Sequence, residues 1–210
     1  MGRRVKIGVL GGTFDPPHVG HLIVAEQARA QLGLDQVWFT PVGQPPHKQD
    51  RDVSCAEDRV VMTRLAIADN PYFVLCMDDV IRPGPHYTLT LIHQLQRKYV
   101  EHTWYLIIGG DSLVDMPKWH QPTQLVELVR LAVAHRPGSQ PNITQLEGAI
   151  PNLRDRIDWI HSPLVHVSSS DLRQRFAAGL PLRYAVPDAV IDYITTQRCY
   201  QSNHQINLQH

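Results

Sequence analysis

Apolar residues along this chain come in short blocks separated by glycine, proline or polar stretches, and the blocks alternate between two kinds of spacing. Val5 to Leu10 is a compact, mostly apolar run ending in Gly11-Gly12, which predicts a strand and a turn. From Val19 to Gln31 the positions Leu22, Ala25, Ala28 and Leu32 recur at helical spacing, with Gly33 placed as a C-cap. Val37-Trp38-Phe39 predicts a second strand that enters the Pro- and Gly-rich loop from Pro41 to Lys48. Ser54-x-x-Glu57 then has capping-box spacing ahead of a helix reaching about Ala68. The alternation continues with a strand at Phe73 to Cys76, a helix at Leu89 to Tyr99, a buried strand at Trp104 to Ile108, helical Leu125 to Leu128 and a strand at Leu131 to Ala134. Past a turn-rich stretch from His135 to Pro151, short strands near Ile157 to Ile160 and Val165 to Val167 lead to two helices, about Ser169 to Ala178 and Pro187 to Gln197.

Strands alternating with helices predict an α/β fold, a doubly wound parallel sheet with helices on both faces. The expected organisation is one domain over residues 1–200, its small C-terminal helical extension at about 168–200, followed by a frayed polar tail at 201–210. Composition agrees: 210 residues with 43% hydrophobic side chains can bury a large core, which excludes global disorder. Twenty basic residues balance 20 acidic ones, so no basic field exists to attract nucleic acid, and neither nucleic acid nor a membrane is expected as a partner. The apolar runs are too short to span a bilayer. Three cysteines, Cys55, Cys76 and Cys199, show no CxxC spacing and read as reduced thiols, so a cytoplasmic chain is expected.

In open α/β sheets ligands gather at the carboxyl ends of strands, which singles out the loops Gly11 to His21, Pro41 to Lys48, Gly109 to Trp119 and Val167 to Arg173. The first reads Gly11-Gly12-Thr13-Phe14-Asp15-Pro16-Pro17-His18-Val19-Gly20-His21 and fits neither GxGxxG nor GxxxxGK[ST]. Two glycines let backbone lie close to a ligand, and a helix starting near His18 aims N–H groups at the same space, so an anion is the natural occupant. His18 and His21, three residues apart, face one side and are placed to donate to one phosphate. Spacing alone leaves two other readings open, a pair of surface histidines and a metal-binding pair. Ser168-Ser169-Ser170 caps the start of a helix and Arg173 follows one turn later, which suits either a second anion site or an ordinary capped helix with a solvated arginine.

The eleven residues Gly11 to His21 resemble the signature of the HxGH nucleotidyltransferase superfamily, and Val167-Ser168-Ser169-Ser170-Asp171-Leu172-Arg173 resembles its second signature. Within the superfamily, five further segments resemble the bacterial nicotinate-mononucleotide adenylyltransferases: Pro45-Pro46-His47-Lys48, Tyr87-Thr88, Gly109-Gly110-Asp111-Ser112-Leu113, Met116-Pro117-Lys118-Trp119 and Arg136-Pro137-Gly138. That family commonly has Tyr-Thr-x-Asp-Thr where this chain reads Tyr87-Thr88-Leu89-Thr90-Leu91, and often Gly-Ala-Asp where it has Gly109-Gly110-Asp111.

The resemblance implies a Rossmann-like nucleotidyltransferase fold and two substrates, ATP and nicotinate mononucleotide. It implies attack by the acceptor's 5′-phosphate on the α-phosphorus of ATP. Catalytic roles fall to His18, His21, Lys48 and Arg173, and ATP binding to Gly11, Gly12, Thr13, Phe14, Asp15, Ser168, Ser169 and Ser170. Thr88, Gly109, Asp111, Trp119 and Arg136 become the acceptor-binding set, with Trp119 stacking on the pyridine ring and Thr88 near its carboxylate. Asp111 is suited to ribose hydroxyls or a magnesium-bound water, or equally to a helix N-cap. Mg²⁺ is expected to be held mainly through substrate phosphates, with no metal ligand set in the chain. Sister acceptors, namely nicotinamide mononucleotide, phosphopantetheine and cytidylyl-transfer substrates, use the same chemistry, and a silent nucleotide sensor would use the same pocket.

Overall fold

The computed structural model of the chain describes residues 4–43, 53–135, 141–163 and 165–200, so the predictions for Lys48, Arg136 and the tail 201–210 lie outside the described residues. The strands are β1 (Val5–Gly12), β2 (Gln36–Pro41), β3 (Phe73–Leu75), β4 (His102–Gly109), β5 (Arg130–His135) and β6 (Ile157–His161). They form one parallel sheet in the order β3-β2-β1-β4-β5-β6. The helices are α1 (Val19–Leu32), α2 (Ala56–Ala66), α3 (Asp78–Ile81), α4 (Thr88–Lys98), α5 (Gly110–Asp115), α6 (Pro122–Leu128), α7 (Ile143–Glu147), α8 (Leu153–Arg156), α9 (Ser169–Ala177) and α10 (Asp188–Thr196).

Strand residues divide by parity between two cores, as a period of two requires. Ile7, Val9, Trp38, Leu106, Ile108, Leu131 and Val133 join Leu91, Ile92 and Leu95 of α4 and Leu125 of α6 on one face. Leu10, Val37, Phe39, Tyr105, Ile107, Ala132 and Ala134 join Ala25 and Ala28 of α1, Met62 of α2, Leu172 of α9 and Val190 of α10 on the other. Each large apolar side chain buried this way contributes about 1.5 to 3 kcal/mol. With Ala25 and Ala28 as its buried residues, α1 presents a small-residue face to the sheet next to β1. Its end is closed at Gly33, which adopts the left-handed conformation at φ 61°.

Three expectations change. The N-cap of α2 is Cys55, whose Sγ accepts from the Asp58 N–H at 3.4 Å, because the Ser54 N–H is committed to Asp15 Oδ2 at 3.1 Å. Val165 to Val167 forms no strand; Val167 packs against the second core from irregular chain. The short helices α3, α5, α7 and α8 were not expected, since helices of four to six residues carry no periodic signal and form only through tertiary contacts. Cys55, Cys76 and Cys199 are free thiols, and burial pushes the Cys76 thiol up to about 11.

Candidate active site

Connections from β1 run towards β2 and those from β4 run towards β5, so the strand order reverses between β1 and β4 and opens a crevice at their carboxyl ends. A cavity of about 710 Å³ occupies it, within the usual size range of small-ligand sites. Gly11, Gly12, Thr13, His18 and His21 line its middle; Thr88, Gly109, Asp111 and Trp119 line one end, and Ser168, Ser169 and Ser170 the other. With Val42 from the loop after β2, residues far apart in sequence, from all four loops read as candidates, thus share one space.

The two histidines are stacked, ring centroids 3.7 Å apart and planes 24° from parallel. His18 is the N-cap residue of α1, and its backbone N–H donates to Nδ1 of His21 at 3.2 Å. An Nδ1 that accepts holds no proton, so the neutral His21 ring carries its proton on Nε2 as a donor. The edge of Phe14 packs on the His21 ring at 5.0 Å, while Gly20 leaves the room His18 needs: a Cβ there would meet His18 Nδ1 at 3.0 Å. His18 is 7% exposed and burial lowers its pKa to about 4. Burial, then repulsion from His18, holds His21 well below its ordinary value too. Both rings are therefore neutral donors at pH 7.

Phe14 and Asp15 do not line the cavity. The Phe14 side chain is buried against Phe39, its backbone held at φ 52°, a region costly for a side chain of this size and kept only by its packing. Asp15 is wholly buried; Oδ1 accepts from Tyr200 Oη at 2.7 Å and Oδ2 from the Ser54 N–H at 3.1 Å. Arg173 donates from Nη1 to the Asp15 carbonyl at 2.7 Å and stands 3.7 Å from its carboxylate. Nη2 lies 3.5 Å from Ser170 Oγ, which puts Arg173 beside the serine end of the cavity and not on its wall. Ser168 Oγ caps α9 by accepting from the Asp171 N–H, and Ser169 Oγ donates to the Pro16 carbonyl at 2.8 Å. Through these bonds α9 and the histidine loop hold each other in place.

At the other end Trp119 is half-buried, packed on the first core while facing the cavity. Gly109, not Asp111, is the N-cap residue of α5, and Asp111 is exposed in its first turn at the cavity wall. Thr88 opens α4, whereas Thr90 is exposed and does not line the cavity. Sequence reasoning missed Asp79 and His86, which line this end as well. Asp79 accepts from Arg82 Nε at 2.8 Å and from the Gly43 N–H at 3.1 Å, and its Oδ2 lies 3.3 Å from His86 Nδ1. An Asp and an Arg three apart, followed by Pro83-Gly84-Pro85 and a histidine before a helix, is the pattern that would have marked them. Among the described residues no group of three or more His, Cys, Asp or Glu side chains could hold a metal ion, and no helix is long and apolar enough to cross a membrane.

Residues 9–175 match the model of a family described as cytidylyltransferase-like. A Thermomicrobium roseum protein named "Probable nicotinate-nucleotide adenylyltransferase" is 42% identical over 197 residues, 94% of this chain and 92% of its own. A Herpetosiphon aurantiacus protein of the same name is 45% identical over 195 residues, 93% and 98% of the two chains. The solved structure of Plasmodium falciparum nicotinic acid mononucleotide adenylyltransferase complexed with NaAD superposes with a TM-score of 0.76, covering 93% of this chain and 97% of that one. At its 18% identity the likeness shows the shared fold.

Proposed function

Because the chain belongs to the cytidylyltransferase-like family, we infer that it is a nicotinate-nucleotide adenylyltransferase, moving the adenylyl group of ATP to nicotinate mononucleotide in NAD biosynthesis. The observation that carries the chemistry is the single crevice cavity, with its stacked histidines between a tryptophan end and a serine end. The acceptor is the one in the name that its relatives bear over nearly their full lengths.

An oxygen of the acceptor's 5′-phosphate bonds to the α-phosphorus of ATP, the bond to the bridging oxygen of pyrophosphate breaks, and pyrophosphate leaves with the electron pair. No protein nucleophile takes part, so rate comes from alignment and from neutralising charge that grows on the α-phosphoryl oxygens and the leaving group. The His21 Nε2–H donates to the transferring group, and His18 supports it through the stack and the shared backbone bond. The start of α9 at Ser169-Ser170, with Arg173 beside it, takes the β- and γ-phosphates. Trp119 supplies a flat face for the pyridine ring, and Thr88 at the start of α4 lies where a pyridine carboxylate meets backbone N–H groups. Mg²⁺ bound to the triphosphate supplies charge neutralisation. Asp111, a carboxylate on the cavity wall, would meet a water of that ion. A cytoplasmic location fits the free thiols of Cys55, Cys76 and Cys199.

The test is pyrophosphate release from ATP and Mg²⁺ with nicotinate mononucleotide, nicotinamide mononucleotide and phosphopantetheine offered separately. Release strongly favouring the nicotinate substrate is expected. Preference for another acceptor would move the chain to a sister activity, and no release with any would overturn the enzymatic reading.

A further inference from the structure

Arg59, in the first half of α2, is 1% exposed and is the largest of the fully buried side chains among the described residues. A charge at that depth is tolerated only when its donors are satisfied, and here they are met by backbone carbonyls from three separate segments. Nη1 donates to Thr13 at 3.1 Å and to Val42 at 2.7 Å, Nη2 to Gly43 at 2.7 Å, and Nε to Ser54 at 3.1 Å. Thr13 belongs to the glycine–histidine loop and Val42 follows β2, and both line the cavity. Gly43 is gripped from its other side as well, its N–H on Asp79 and its Cα against His86, so closely that a Cβ would collide with the ring. Arg59 belongs to no motif and does not line the cavity; its Nη1 and Nη2 hold two loop backbones at a set separation, while Nε ties the start of its own helix.

We propose that Arg59 is a positioning residue for the transfer step, its planar fork fixing the spacing between the loop that carries His18 and His21 and the strand end that faces them. A fork is required because the carbonyls lie in different directions around one plane, which a lysine ammonium on its single axis cannot span. Misplacing the loop by about 1 Å would weaken alignment in the transition state about a hundredfold while leaving most ground-state contacts intact.

Because the kinetic readout rests on the adenylyltransferase reading, the experiment pairs it with one that does not. Arg59→Lys and Arg59→Ala are compared with wild type by pyrophosphate release and by amide hydrogen exchange. Arg59→Lys is expected to lose about ten- to a hundredfold in kcat, with KM for ATP and for the acceptor within about threefold. Arg59→Ala is expected to regain activity with methylguanidinium and not with methylammonium, which separates a shaped donor from a mere charge. Faster exchange at residues 12–14 and 42–43, with β4 unchanged, is expected in both variants. Wild-type kcat in Arg59→Lys, a loss confined to KM, equal rescue by both cations, or unchanged loop exchange would each overturn the proposal. If wild type itself released no pyrophosphate, the functional reading would fail, and the exchange comparison would still decide the role of Arg59. Should Arg59→Ala not fold, Arg59→Lys carries the test.

Discussion

Acidification should destabilise the folded chain through His18, by an amount set by where that ring sits. In the unfolded chain the imidazole titrates near 6.5, whereas burial lowers it to about 4 in the fold. Between those values the unfolded chain binds a proton that the folded chain refuses, so stability falls as pH drops below 6.5 and the loss levels off below about 4. At about 1.4 kcal/mol per pH unit the cost reaches about 2 kcal/mol at pH 5 and about 3 kcal/mol at pH 4. His21, lowered in the same direction, adds to it. For a chain of this size that corresponds to a Tm lower by about 6 to 12 °C at pH 4. The assay is urea or thermal unfolding of wild type and His18→Asn across this range. Carboxylates titrate in both proteins, so the gap between the two curves reports the His18 ring together with the change it makes at its stacked partner His21. The wild-type curve should fall more steeply, converging on or crossing that of the variant. Curves that stay parallel to within about 0.5 kcal/mol from neutral pH to about 5 would show that the ring is not held neutral by burial, and the picture of two uncharged donors would fail.

Three further outcomes are expected. His21→Ala should leave the fold and the acceptor KM nearly unchanged while lowering kcat about a hundredfold, about 3 kcal/mol in the barrier; steady-state pyrophosphate release measures it, and a loss of only a few-fold would remove His21 from the transferring group. His86→Ala should raise the acceptor KM about tenfold with the ATP KM held within about twofold, because the ring lines the end of the cavity shared with Thr88 and Trp119; equal changes in both would place the effect on the whole cavity. Tyr200→Phe removes a 2.7 Å bond to the buried Asp15 carboxylate and should cost about 1.5 to 3 kcal/mol in urea unfolding. A change below about 0.5 kcal/mol would mean that Ser54 and Arg173 satisfy Asp15 without it.

The layout of the sheet was legible because its strands announce themselves. The runs Ile7 to Leu10 and Trp104 to Ile108 are buried on both faces, as central parallel strands must be. The glycine–histidine loop was legible for a similar reason, since glycines, a helix start and two histidines lie within eleven residues and need no distant partner to suggest an anion. Local sequence also determined the glycine cap that closes α1 and the serine that opens α9, both set by backbone bonds spanning one turn.

What the tertiary structure alone decided concerns groups whose partners are distant along the chain. Asp15 sits inside the loop read as phosphate-binding, yet its carboxylate turns away to Tyr200, 185 residues later, and its carbonyl holds Arg173, 158 residues later. Arg59 belongs to no motif, because its role is defined by carbonyls that any residue type could supply. The charge state of His18 and His21 was equally beyond the sequence, since an imidazole near 6.5 in water becomes a neutral donor only when packing removes its solvent. Residue types and spacing along the chain determined which chemistry this protein can hold. Burial and long-range hydrogen bonds decided which of those residues face the ligand, because desolvation and contact geometry exist only once the chain has closed on itself.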